Sequence, residues 1–220
     1  CRGAPALDRA RPLRPNFIGV ERCGSSGRPR VSDDLCRPGA PKGSGNIADL
    51  MLADAGDESL RRYKEQLLGA AAKGDLGDVS DPRKVIVTEF RILFNGAAPD
   101  LVFSLDNAAG MMLLSRNGMS IKEGVEYKFR ISFKVQHEIL AGLRFLNKTK
   151  KMGFSNTDEI MIGSYPPQSK PHVFEFPRDD WLVAPKGMMY RGTYTSTDKF
   201  VDSDGKTHLE YTYPLKVVGK

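Results

Sequence analysis

Three histidines (His137, His172, His208), two acidic pairs (Asp179-Asp180, and Asp202 with Asp204) and three cysteines (Cys1, Cys23, Cys36) are the side chains whose types could carry chemistry. Imidazole and carboxylate together serve proton transfer or metal binding only at defined spacings. The histidines are scattered, with His137 and His208 at polar strand positions or strand edges, and there is no HExxH, Gly-rich phosphate loop, GxSxG or CxxC. FVDSDGKTH (200–208) resembles the start of a calcium loop but lacks the distal Glu of an EF-hand, so the expectation is a solvated hairpin turn. The cysteines fit no zinc pattern. An enzyme is not expected, nor a cofactor or metal.

Charge points away from nucleic acid. The net charge is +6, but residues 1–45 hold nine Lys/Arg against four Asp/Glu, so the remainder is nearly neutral and has no basic footprint. That tail is rich in Arg, Pro, Gly and Ser, without apolar periodicity, and reads as disordered. It lacks the apolar core of a secretory signal, and its prolines and Asp33-Asp34 argue against an amphipathic transit helix. The chain opens on Cys1 rather than Met, as a fragment or a doubtful gene start would. No stretch approaches the ~18 apolar residues of a membrane span, so the expected location is cytoplasmic.

The elements follow from periodicity. NIADLMLADAG (46–56) predicts a short helix with Asn46 as cap and Ile47, Leu50 and Met51 on one face. GDESLRRYKEQLLG (56–69) predicts a clearer one, with Asp57 at the N-cap, Leu60, Tyr63 and Leu67 as an apolar stripe, and Gly69 at the stop. About three turns long, such a helix is marginal alone in water. AAAKGDLGDVSDP (70–82) reads as a linker. The period then changes to two. KVIVTEFRILF (84–94) is expected to put Thr88, Phe90, Ile92 and Phe94 on one face. VEYKFRISFKV (125–135) alternates strictly, and HLEYTYPLKV (208–217) repeats the pattern. Shorter strands are expected at 101–105, 138–146, 158–165, 172–176 and 187–195, separated by turns such as NAAG, PPQS and DSDG. About eight antiparallel strands predict a mainly β fold, an immunoglobulin-like β-sandwich over 81–220, preceded by a helix–turn–helix arm and linker (46–80) and the disordered tail (1–45).

DESLRRYKEQLLG, IKEGVEYKFRISFKV, EIMIGSYPP, APKGMMYRGTY and KFVDSDGKTHLEY occur in an order that resembles the Rho GDP-dissociation inhibitor family, over about residues 47–218. The resemblance implies a helical arm that binds the switch regions of a GDP-bound, prenylated Rho- or Rac-type small GTPase. It also implies a sandwich that takes the geranylgeranyl chain, slowing GDP release and extracting the GTPase from membranes in a 1:1 complex, with transient membrane contact. By that resemblance Asp57, Ser59, Leu60 and Tyr63 contact the first switch region, while Asp202 and Asp204 face the second, with the family's acidic run broken by Ser203. Phe90, Ile92, Met119, Tyr127, Ile139, Met189, Tyr211 and Tyr213 correspond to the lipid pocket. Tyr211 and Tyr213 stand where many members carry tryptophan, and Ser196 at an aliphatic position. Trp181, the one tryptophan, lies in a loop and is expected to anchor packing. The alternatives are a general prenyl- or lipid-binding chaperone without switch-region regulation, or a structural module without a cavity.

Overall fold

The computed structural model describes residues 57–219 other than 70, 79 and 97; the tail and the helix expected over 46–56 lie outside the described residues. Helix α1 (Glu58–Leu68) and a single 3-10 turn (Ala71–Lys73) come first. Next are β1 (Val85–Phe94), β2 (Leu101–Ser104), α2 (Ala108–Asn117), β3 (Met119–Lys122), β4 (Glu126–Val135) and β5 (Leu140–Lys151). The chain finishes with β6 (Phe154–Tyr165), β7 (Gln168–Phe176), β8 (Leu182–Val183), β9 (Gly192–Val201) and β10 (Thr207–Val218). One sheet runs β2-β1-β4-β7, with β8 beside β4; the other runs β3-β10-β9-β5-β6. The pairing is antiparallel except for β3 with β10.

Alternation builds the core. β4 turns Tyr127, Phe129, Ile131, Phe133 and Val135 inward, and β10 turns Tyr211, Tyr213, Leu215 and Val217 to meet them from the other sheet. Phe90, Phe129, Phe145 and Phe200 interlock at centroid distances of 5.1–6.5 Å. Each fully buried aromatic is worth roughly 1.5–3 kcal/mol in area removed from water.

Three expectations need correction. In β1 Phe90, Ile92 and the partly buried Phe94 face the core as expected, but Thr88 does not: a bulge between Val87 and Glu89 shifts the parity by one residue, so that Val85 and Val87 are the inward residues before it. Thr88 sits at the bulge; its hydroxyl donates to the Ser132 carbonyl (3.0 Å) and its carbonyl accepts from Leu105 N (2.9 Å). NAAG (107–110) is not a turn but the start of α2, where the Asn107 side chain accepts from Gly110 N (2.7 Å). Residues 187–191 precede β9 rather than belonging to it.

The expected linker is also more than a tether. Gln136, 1% exposed in the β4–β5 turn, accepts from Asp78 N (3.0 Å) and donates to the Arg83 carbonyl (2.9 Å). His137 N donates to the Leu76 carbonyl (2.9 Å), and Asp75 accepts from the Ser169 amide on β7. Leu68 and Ala71 are buried against Leu76 and Ile139. The end of α1 is thus fastened to one end of the sandwich.

Gly118 closes α2 at φ 64°, and a Cβ there would lie 2.2 Å from the Pro214 carbonyl oxygen on β10. Backbone cannot yield as a side chain does. Gly118→Ala is expected to cost about 2 kcal/mol or more in urea unfolding.

Candidate functional site

Asp57 caps α1, its Oδ1 accepting from Ser59 N (2.8 Å) and Leu60 N (3.2 Å), and Gly69 N closes the other end on the Glu65 carbonyl. With both ends satisfied and Leu68 anchored, the helix is held while Leu60 and Tyr63 remain 42% and 59% exposed. Ser59 is also exposed; the Leu67 side chain lies outside the described residues.

The acids expected to work as a pair have different surroundings. Asp204 is exposed in the β9–β10 turn, but Asp202 is 2% exposed and committed to that turn. Its carboxylate accepts from Asp204 N (3.0 Å), Lys206 N (2.9 Å) and His208 Nε2 (2.8 Å). Burial opposes the Asp202 charge, but the Lys206 amide and His208 outweigh it and leave the pKa lowered. Burial lowers the His208 pKa despite Asp202, favouring a neutral imidazole that donates its Nε2 proton. The turn is therefore not fully solvated, and His208 is not a surface residue. Among the described residues no group of three or more His, Cys, Asp or Glu is placed to hold a metal.

The residues expected to form a lipid pocket are only partly brought together. Met119, Tyr127 and Tyr213 line a cavity of about 20 Å³ with Ile121, Phe129, Asn147 and Leu215. Tyr211 stacks on Tyr213 at 5.8 Å, and Phe90 and Ile92 are fully buried in the adjoining core. Ile139 packs instead under the end of α1, and Met189 is 89% exposed in the loop before β9. Trp181 is half-buried, with Lys128 Nζ 4.8 Å from its ring centroid. A space this small holds about one water.

Beside the cavity, the inner face of the second sheet is polar. One cross-strand row runs Asp158, Asn147, Asp198, Tyr211, and the next runs Asn156, Thr149, Ser196, Tyr213. Asn147 Nδ2 donates to Ser196 Oγ (2.9 Å) and to Asp198 Oδ1. Tyr211 neighbours Asp198, yet its hydroxyl, Asp198 Oδ2 and Asn147 Oδ1 have no partner of hydrogen-bond geometry. Each such group costs about 1–3 kcal/mol. Burial pushes Asp198 up to about 7 against the hydrogen bond from Asn147, and Asp158 up to about 6 against that from Asn156. Periodicity does not single out Asn147 and Asp198, because polar residues at inward positions look like wet ones; the parity set by Tyr194 and Phe200 is the signal that points Asp198 inward.

The raised pKa fixes a pH dependence. Below the ordinary carboxylate range both folded and unfolded chains hold the Asp198 proton. As pH rises from about 4 to 7 the unfolded chain has released it and the folded chain has not, so stability falls. At 1.36 kcal/mol per unit the full loss is about 4 kcal/mol, and Asp158 adds in the same direction. Asp198→Asn is expected to gain on the parent by about 2.5 kcal/mol more at pH 8 than at pH 5, read by urea unfolding at both pH values.

Comparison with known proteins bears on these surfaces. The model of the family described as RHO protein GDP dissociation inhibitor matches residues 37–220. The Rho GDP-dissociation inhibitor of Schizosaccharomyces pombe is 35% identical over 193 residues, covering 86% of this chain and 91% of that protein. That of Saccharomyces cerevisiae is 37% identical over 172 residues, covering 76% and 83%. Human Rho GDP-dissociation inhibitor 1 is 33% identical over 180 residues, covering 80% and 83%. With a match across most of its length and both surfaces carried on the matching part, this chain belongs to the Rho GDP-dissociation inhibitor family.

Proposed function

We propose that this protein inhibits GDP dissociation from Rho-type small GTPases, with α1 and the segment before it engaging the switch regions and the sandwich sequestering the geranylgeranyl chain. The observation that carries the reading is a capped helix, fastened at its C-terminal end, that keeps Leu60 and Tyr63 in solvent. A short helix that leaves apolar side chains unburied gains stability from a partner, as in helix-in-groove recognition. Ser59 and Asp204 supply polar contacts at the same end of the sandwich. Asp202 acts indirectly, by shaping the turn that presents Asp204.

Lipid uptake would enlarge the space between the sheets at Met119, Tyr127 and Tyr213, since a prenyl chain needs far more room than one water. The unpartnered polar atoms nearby lower the cost of that opening, because the closed interior does not satisfy them. A twenty-carbon chain carries up to ~16 kcal/mol of apolar burial, but a bilayer offers it a similar environment. Transfer into the pocket is then nearly neutral, and net extraction comes from protein contacts the membrane lacks. The arm sets the direction of transfer. A general lipid chaperone would have no use for it.

Leu60→Ala with Tyr63→Ala is therefore expected to weaken inhibition of GDP release about tenfold or more, at ~1 kcal/mol per residue. Binding of a fluorescent geranylgeranyl cysteine should change less than twofold. Unchanged inhibition in a stopped-flow GDP-release assay would contradict the role given to α1.

A further inference from the structure

Two loop tips at the end of the sandwich away from α1 carry large apolar side chains in solvent. In the β5–β6 hairpin Met152 is 90% exposed and Phe154 66%, and in the loop before β9 Met188 is 84% exposed and Met189 89%. The tips are joined: Lys151 Nζ donates to the carbonyls of Met189 (2.7 Å) and Arg191 (2.6 Å). Lys151 Nζ also lies 4.7 Å from the centroid of the Tyr194 ring, which steadies the contact. The four exposed apolar side chains therefore stand on two tips that Lys151 ties together. Exposed apolar residues scattered singly need no explanation, but a cluster rimmed by charge does.

Charge identifies what the tips meet. The tip segments KTKKMGF (148–154) and PKGMMYR (185–191) carry Lys148, Lys150, Lys151, Lys186 and Arg191, and no acid. The adjoining Glu123 is already bound by Arg191 (2.6 Å) and by Gly187 N (3.1 Å). Apolar side chains at the crest with cations behind them match the layers of an anionic bilayer, acyl chains below and headgroups above. The tips are also close to the cavity. Met119 and Leu215, which line it, pair with each other between β3 and β10, and β10 continues to Val217, opposite Gly192 at the base of the Met188–Met189 loop.

We infer that the two tips form a membrane-contact ledge that seats this end of the sandwich on an anionic lipid surface, with the cavity end next to the bilayer. This goes beyond the GDP-dissociation reading and does not need it, because the ledge meets lipid rather than GTPase. Met188 and Met189 enter the acyl boundary from one side and Met152 and Phe154 from the other, while the lysines remain among the headgroups.

The test is co-sedimentation of the full chain, without GTPase, with vesicles of phosphatidylcholine containing about one-third phosphatidylserine at low salt. Binding is expected to be about tenfold stronger than to phosphatidylcholine alone. It should fall about tenfold in Met188→Ser with Met189→Ser, and again in Met152→Ser with Phe154→Ser. Val173→Ser, at an exposed apolar residue on β7, should leave it unchanged. Urea unfolding of each variant identifies any loss that comes from misfolding, and Met188→Gln with Met189→Gln repeats the test with side-chain volume retained. No vesicle binding overturns the inference, as does binding that the tip variants leave intact. Self-association through the tips without vesicle binding, read by sedimentation velocity, would also overturn it. The assay contains no GTPase, so its result is separate from that of the GDP-release experiment.

Discussion

The Gln136 side chain ties the two working parts of this protein together. Its amide is buried in the turn between β4 and β5 and satisfies backbone groups at Asp78 and Arg83, on either side of the residues that lead into β1. A buried amide with both ends used is costly to disrupt, since each partner would be left unpaired. Through this clamp, with the Asp75–Ser169 and His137–Leu76 bonds beside it, the end of α1 acquires a fixed position on the sandwich. The exposed face of α1 is consequently presented at a set angle, and ordering it on a partner costs less conformational entropy than ordering a free segment.

The sandwich itself is uneven. Where β1, β4 and β5 face one another the interior is aromatic and closely packed around Phe90, Phe133, Phe145 and Phe200. Toward the β5–β6 hairpin the second sheet replaces those rings with Asn147, Thr149, Ser196 and Asp198, and the filling is incomplete. Close-packed aromatic interiors resist opening, whereas an interior with unpartnered polar atoms has less to lose. The same half of the molecule holds the cavity, the raised Asp198 pKa and the exposed tips. The two ends of the sandwich therefore differ in how completely they are packed.

Much of this was legible in the residues, for physical reasons that also explain the gaps. β4 and β10 declare themselves because one face of each is buried and the other wet, so side-chain type records the pleat directly. α1 is legible from its cap and stop, Asp57 and Gly69. The bulge at Thr88 is hidden, since apolar residues on both sides of it fit either parity. α2 is obscured by its small opening residues, which show no stripe until Met111 and Leu114. The burial of Asp202 reflects a turn that folds back on its own carboxylate, something composition reads as solvated. Ile139 and Met189 depart from the expected pocket because pocket membership depends on which loops fold over the cavity, and strand alternation does not determine loops. The polar rows depend on register between β5, β6, β9 and β10, a long-range property that no local pattern contains.

In the proposed function one chain holds the nucleotide and lipid ends of a Rho-type GTPase together. The most direct measurement follows GDP release and vesicle association in one sample, with a prenylated, GDP-loaded Rho-type GTPase on vesicles and the full chain added in increasing amount. GDP release is expected to slow and the GTPase to leave the vesicles over the same titration, saturating near one chain per GTPase. Departure from the vesicles with GDP release unchanged would contradict that function, because lipid would then be sequestered without any hold on the switch regions.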